Sequence, residues 1–195
     1  MRDEEVVEKV REKVIEICKN SNDFLKDNYN IHIRIVEDLA LRLGKKFNAD
    51  LKILQLSALL HDIGRIKYGD EGHEKTGAKE AEKILRDLGE REDTIEKVKE
   101  CILLHRHSDP TIPESIEAKL LKIADAWSHF YIPLELVAAF SKMFDKSARE
   151  TVKLVSEKLR RDLDFLRKAS TQIEIEEVLE DCERCYNSFI SLIRI

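Results

Sequence analysis

Four side chains spread along the sequence could together bind a divalent metal ion: His32, His61, Asp62 and Asp125. His61 and Asp62 are adjacent, and neighbouring residues on a helix point about 100° apart. Both reach one ion only if the ion lies beside the helix between them, so the other ligands must come from other helices. Two imidazoles and two carboxylates suit manganese, iron, cobalt, nickel or zinc, and magnesium is kept as a further candidate.

Each of these residues also has a purely structural explanation. A lone histidine such as His32 is more often a hydrogen-bonded core residue than a ligand. Asp125 stands in an apolar stretch beside Trp127, where it could form a buried ion pair. The combination favours a metal site, because a metal satisfies several polar groups whose burial would otherwise be costly.

The elements that must position these residues are predicted to be helices. The chain of 195 residues has only six Gly and three Pro, and 37% of its residues are charged, which is typical of an all-α protein rich in Glu, Lys, Leu and Ile. Residues 51–60 are apolar on nearly every face, which predicts a central, buried helix capped by Asp50. His61 and Asp62 follow it directly, with Gly64 expected just beyond the helix end. His32 lies on the apolar stripe of a helix predicted over 31–47.

The remaining segments are predicted from periodicity and from capping residues. A loop is expected over 65–72 and another over 108–113, and Asp93 with Glu96 is typical of a capping box. Further helices are expected at about 3–19, 73–88, 93–105, 113–127, 133–144, 147–169 and 174–193. Asp125 falls on the inner face of the helix that Pro113 or Glu114 begins. We expect one domain over 1–195.

Together these motifs resemble the HD-domain metal-dependent phosphohydrolases, whose signature is a histidine, a His-Asp pair and a later aspartate. The matching residues are His32, the run 58–65 around His61-Asp62, His73 with Gly77-Ala78, the run 102–105 ending in His105, and Ala124-Asp125-Ala126. The resemblance covers a core of about 28–130, so that about 131–195 is a helical C-terminal extension. It implies an HD-like helical bundle, a metal held by His32, His61, Asp62 and Asp125, and hydrolysis of a phosphoester or phosphoanhydride.

The resemblance gives His73 and His105 two alternative roles. In some members extra histidines at these positions bind a second metal, whereas in single-metal members residues there touch the substrate phosphate. The sequence leaves both alternatives open. The Gly-Tyr-Pro element of the cyclic dinucleotide branch is absent from this sequence, which argues against that substrate.

The expected chemistry follows from charge. A divalent ion neutralises a phosphate oxygen and lowers the pKa of its bound water towards about 7, and the hydroxide attacks phosphorus in line. Asp62 could orient this water, and His73 or His105 could protonate the leaving group. Arg65, Lys67 and Lys75 could bind substrate phosphates. Arg65 and Lys67 could equally be a solvated loop pair.

Composition limits the other functions. The net charge of −5 argues against a surface for long nucleic acid. The charged start of the chain and the lack of long apolar runs predict a cytoplasmic protein that spans no membrane. A second copy of the chain could pack against the C-terminal helices. The main alternative function is a non-catalytic, metal-containing sensor or binding module. A di-iron oxygenase ranks lower, because it needs six or more ligands and only His73 and His105 are spare.

Overall fold

The computed structural model describes residues 3–21, 25–106 and 109–193. Every regular element in these ranges is a helix, which confirms the predicted all-α class. The helices are α1 (Asp3–Lys19), a π-helical turn (Tyr29–Ile33), α2 (Arg34–Phe47), α3 (Leu51–Leu60), α4 (Ile63–Tyr68), α5 (His73–Asp87), α6 (Glu92–Leu104), α7 (Ile116–Ser128), α8 (Pro133–Phe144), α9 (Ala148–Ser170) and α10 (Glu176–Ile193). Among the described helices, none is long and apolar enough to cross a membrane.

The chain divides into two compact units, Met1–Ala124 and Asp125–Ile195. In the first unit α3 is the central helix and packs against α1, α2 and α6. The Asp50 side chain caps α3 as predicted, because its Oδ1 accepts hydrogen bonds from the backbone N–H groups of Lys52 and Ile53. The apolar residues of α3 from Ile53 onwards are buried, so the end of this helix delivers His61 and Asp62 into the interior.

The segment after Asp62 differs from the sequence prediction. Gly64 does not end a helix: it lies inside α4, so the first half of the predicted loop 65–72 is helical and only 69–72 is irregular. The physical reason is close packing of α4 against α5. A Cβ atom added to Gly64 would lie 2.2 Å from the carbonyl oxygen of His73 and 2.5 Å from the backbone nitrogen of Gly77.

Two helix starts also differ in detail from the sequence prediction. The chain around His32 enters α2 through the π-helical turn rather than through a regular first turn. The predicted capping box of α6 is not formed, because the Asp93 carboxylate accepts hydrogen bonds from the Arg91 side chain. Ser147 does form a capping box, with Glu150, at the start of α9.

The second unit contains the end of α7 and the helices α8, α9 and α10, with α9 packed against both α8 and α10. The Asp181 carboxylate on α10 accepts hydrogen bonds from Trp127 Nε1 at 2.9 Å and from the Tyr131 hydroxyl at 2.6 Å. These bonds tie α10 to the end of α7. Cys182 is buried on α10 and Cys185 is half-buried.

Candidate metal centre

Asp62 is the centre of the candidate site, and its two carboxylate oxygens face different pairs of histidines. Oδ2 lies 3.7 Å from Nε2 of His32 and 3.8 Å from Nε2 of His61. Oδ1 lies 3.8 Å from Nε2 of His73 and 3.9 Å from Nε2 of His105. The first unit therefore brings together five of the residues that the sequence singled out, in two groups that share one carboxylate.

Three of these histidines are oriented by a backbone carbonyl three residues earlier in the chain. The Nδ1 atom lies 2.7 Å from the Ala58 oxygen in His61, 2.9 Å from the Asp70 oxygen in His73 and 2.6 Å from the Ile102 oxygen in His105. A carbonyl oxygen only accepts, so each Nδ1 donates its hydrogen. In the neutral ring Nε2 then carries the lone pair that binds metals.

The position of His61 and His105 at helix ends explains this orientation. The last carbonyls of a helix have no intrahelical partner. His61 follows the last turn of α3 and His105 follows the last turn of α6. The ring of each residue therefore meets an available carbonyl in that turn, and its Nε2 is directed away from the helix.

The Nε2 atoms meet in pairs. Those of His32 and His61 are 3.1 Å apart, and those of His73 and His105 are 3.3 Å apart. In the second pair both nitrogens present lone pairs, and that of His73 accepts a hydrogen bond from Arg65. Two nitrogens about 2.1 Å from one ion have a separation of this order. The spacing therefore fits a metal ion held with Asp62.

Burial strengthens the case for a bound cation. His61 and His73 are each no more than 1% exposed, and Asp62 is 2% exposed. Within the described residues, Oδ1 of Asp62 is buried and accepts no hydrogen bond. A buried acceptor without a partner costs about 1–3 kcal/mol, more when it is charged. A metal ion beside Oδ1 would remove this cost, so the residues present fit such an ion.

Electrostatics keep Asp62 ionised. Burial acts to raise the pKa of Asp62, but the Arg65 guanidinium and the imidazoles of His61, His32 and His73 outweigh it and hold the pKa well below its usual range. The carboxylate is therefore an anion at neutral pH, as a metal ligand must be.

Arg65 lies at the edge of the two groups and contacts both. Its Nη1 donates to Oδ2 of Asp62 at 3.0 Å, and its Nη2 donates to Nε2 of His73 at 3.1 Å. A third bond joins its Nε to the Asp70 carboxylate at 3.0 Å. The side chain is 29% exposed, so the guanidinium reaches both the buried carboxylate of Asp62 and solvent.

The two predicted lysines lie differently. Lys67 forms an ion pair with Glu80 of α5. Burial acts to lower the pKa of Lys67, but the hydrogen bond and charge of Glu80 raise it overall. Lys75 is exposed on α5. The structure therefore places Arg65 at the candidate site, and the phosphate-binding roles of Lys67 and Lys75 stay predictions.

Asp125 is the first residue of the second unit and lies on α7, where it is 5% exposed. Its Oδ1 is 3.5 Å from Nε2 of His129, one helical turn later. Burial lowers the pKa of His129 to about 4, helped by the Lys158 charge and opposed by Asp125 and Asp162. The role of Asp125 as a ligand stays a prediction from the sequence.

Two supporting residues were not found from the sequence. Asp70 orients His73 through its carbonyl and Arg65 through its carboxylate. Lys122 of α7 is buried, and its Nζ donates to the carbonyl oxygens of Asp109 and Thr111 at 2.8 and 2.9 Å. The position of Lys122 in the apolar run of α7 could have identified it, because a buried ammonium group needs hydrogen-bond acceptors. His107 and Ser108 lie outside the described residues.

A comparison with models of protein families identifies the family of this chain. The HD domain model matches residues 29–128, which is half of the chain and includes all the residues of the candidate site. The chain belongs to the HD domain family. The recognition made from His32, His61-Asp62 and Asp125 is thereby confirmed.

Two curated relatives are each similar to a part of this HD domain protein. One is a tRNA (cytidine(56)-2'-O)-methyltransferase from Thermoplasma volcanium, 33% identical over 104 residues, which are 48% of this chain and 30% of the relative. Another is ribonuclease Y from Borreliella burgdorferi, 34% identical over 90 residues, which are 44% of this chain and 16% of the relative. The chain thus spans less than a third of the length of either relative.

Solved structures share the fold of this HD domain protein. A Bacillus thuringiensis HD-superfamily hydrolase is 21% identical, with a TM-score of 0.67 over 98% of this chain and 95% of that one. YpgQ from Bacillus subtilis, solved in complex with ADP, is 21% identical, with a TM-score of 0.53 over 90% of this chain and 98% of that one. At these identities the likeness establishes the HD fold over nearly the whole chain.

Proposed function

We propose that this HD domain protein is a divalent-metal-dependent hydrolase of a phosphoester or phosphoanhydride in a nucleotide or another small phosphorylated metabolite. The observation that carries the proposal is the two-sided environment of Asp62, with two histidine Nε2 atoms near each of its oxygens. Burying these polar groups costs free energy of desolvation and covers no apolar surface, so packing alone does not explain the arrangement.

We assign His32, His61 and Oδ2 of Asp62 to one metal ion, and Oδ1 of Asp62, His73 and His105 to a second. Asp125 stays the predicted further ligand of the first ion. Between the two roles that the sequence left open for His73 and His105, the geometry favours ligation. Their Nδ1 hydrogens are engaged by carbonyls, so neither Nε2 has a hydrogen to donate in the neutral ring.

A divalent ion held there supplies positive charge for a phosphate oxygen and acidifies water at neutral pH. Asp62 is ionised and can accept a hydrogen bond from an attacking water, which would orient it. Arg65 is the side chain best placed to bind a substrate phosphate, because its fork of donors already reaches Asp62 and remains partly exposed. The name of one relative, ribonuclease Y, supports hydrolysis of a phosphoester.

The proposal is tested by metal content and hydrolysis together. The purified chain is stripped with a chelator and reloaded with Mn²⁺, and bound metal is counted by mass spectrometry. Phosphate or nucleoside release is then followed with nucleoside mono-, di- and triphosphates and with a short oligoribonucleotide. Bound metal with hydrolysis of a small nucleotide supports the proposal. Cleavage of the oligonucleotide alone would overturn the small-substrate assignment, and bound metal without turnover of any substrate would favour the sensor module.

Single substitutions in the two groups are expected to remove different metals. His61→Ala takes one nitrogen from the first group and His105→Ala takes one from the second, so each variant should keep about one of two metal equivalents. Both variants should lose hydrolysis, since the proposed reaction uses both ions. Each serves as the control of the other, because both remove a buried imidazole at a helix end. Two full equivalents in either variant would contradict the two-metal assignment.

A further inference from the structure

A second cluster of buried polar groups surrounds His129, in the unit that contains the C-terminal helices. Nδ1 of His129 lies 3.0 Å from Oδ2 of Asp162 on α9, and its Nε2 lies 3.5 Å from Oδ1 of Asp125. The Lys158 ammonium lies 3.2 Å from the same oxygen of Asp162. His129 is 4% exposed and Asp162 is 1% exposed, so these contacts are shielded from water.

Asp162 determines how the imidazole of His129 is used. An ionised carboxylate only accepts hydrogen bonds, so Nδ1 of His129 donates its hydrogen to Asp162. Lys158 already balances the charge of Asp162, and the ring is not needed as a cation there. The second nitrogen, Nε2, is then the lone-pair atom, and it faces the carboxylate of Asp125.

The distance between Nε2 of His129 and Oδ1 of Asp125 points to a shared cation. A value of 3.5 Å exceeds the 2.7–3.2 Å typical of an N–H···O hydrogen bond. It agrees with two adjacent ligand atoms that each lie about 2.1 Å from one ion. The two residues are also four apart in the chain, so the helical spacing brings them to one side.

We propose that His129 is a nitrogen ligand of the metal ion that Asp125 binds, and that Asp162 is the positioning residue that holds its ring. The inference rests on the proposed function, because that function assigns a metal to Asp125. A carboxylate that accepts from the far nitrogen of a metal-binding histidine is a recurrent arrangement in metal sites. Through Asp162, α9 would take part in orienting this ligand.

The test is a titration of the chelator-stripped chain with Co²⁺, read by the visible absorption of the bound ion, which reports the number and type of its ligands. His129→Gln should weaken one Co²⁺ equivalent by on the order of 100-fold and change its spectrum. Asp162→Asn should weaken the same equivalent by roughly 10-fold, since it keeps an acceptor but loses the charge. Asp162→Asn also leaves the ring in place, so it carries the test should His129→Gln fail to fold.

Asp181→Asn is the matched control. Asp181 is also a hydrogen-bonded carboxylate between the end of α7 and a C-terminal helix, but its partners are Trp127 and Tyr131. It should leave Co²⁺ affinity and spectrum unchanged. A His129→Gln spectrum and affinity equal to those of the wild type would overturn the inference alone. Equal losses in Asp162→Asn and Asp181→Asn would overturn the positioning role of Asp162. A wild-type chain that binds no Co²⁺ would overturn the proposed function as well.

Discussion

Asp62→Asn is expected to abolish the binding of both metal ions and to lower hydrolysis by at least about 1,000-fold. The expected loss is large because Oδ1 and Oδ2 face different histidine pairs, so one substitution removes negative charge from both groups. A metal contributes several kcal/mol to the stabilisation of phosphoryl transfer, and about 4 kcal/mol corresponds to this factor. Metal content after dialysis and initial rates at saturating Mn²⁺ measure the two effects.

Asp70→Asn is the control for this prediction. Its carboxylate also contacts Arg65, but it is 52% exposed, and its backbone carbonyl would still orient His73. We expect it to retain both metals and to change the rate by less than about 10-fold, as for an exposed charge pair. Retention of both metals by Asp62→Asn would show that the carboxylate does not bridge the two groups. The His61→Ala and His105→Ala variants would then have to be reinterpreted.

The sequence was sufficient to predict that the candidate ligands lie on buried helix faces or at a buried helix end. The apolar run of α3 can be stable only inside the core, so the polar pair at its end had to be buried with partners. His32 could be placed on an inner face by periodicity alone. These predictions depend on local patterns of three to ten residues, which determine the buried face of a helix without knowledge of its tertiary contacts.

The two-sided use of Asp62 could not be predicted in the same way. It depends on the approach of α4 to α5, which brings His73 to Oδ1, and this approach is a tertiary contact between backbones. The sequence pattern predicted Gly64 just beyond a helix end, where glycine is favoured because its backbone can adopt positive φ values. In the structure glycine is needed there for the absence of a side chain, and a sequence pattern does not distinguish these two needs.

Side-chain contacts between different helices also could not be predicted from the sequence. Lys67 pairs with Glu80, thirteen residues later, and His129 pairs with Asp162, thirty-three residues later. No local period relates such residues, because their contact depends on how two helices pack. The contact of His129 with Asp162, on which its proposed role as a ligand rests in part, could therefore not be predicted from the sequence.

Gly64→Ala is expected to destabilise the chain by about 3 kcal/mol and to reduce the metal content. The added Cβ would lie 2.2 Å from the His73 carbonyl oxygen, and backbone atoms of two packed helices cannot move aside as a flexible side chain can. Overpacking costs about 1–3 kcal/mol, and the rigidity of both partners favours the upper end. The gain in helix propensity from Gly to Ala, up to about 1 kcal/mol, opposes this cost without cancelling it. Urea unfolding in the presence of a chelator gives the loss of stability without the contribution of bound metal.

Gly77→Ala separates the effect of this contact from the effect of any alanine in these helices. At Gly77 the nearest atom to an added Cβ is Cγ2 of Ile102 at 3.3 Å, a side-chain atom that can shift by a few tenths of an ångström. We therefore expect a change of less than about 1 kcal/mol for Gly77→Ala, offset in part by the same gain in propensity. Equal stability in the two variants would mean that α4 and α5 can separate without loss. The placement of His73 beside Asp62 would then not depend on their close contact.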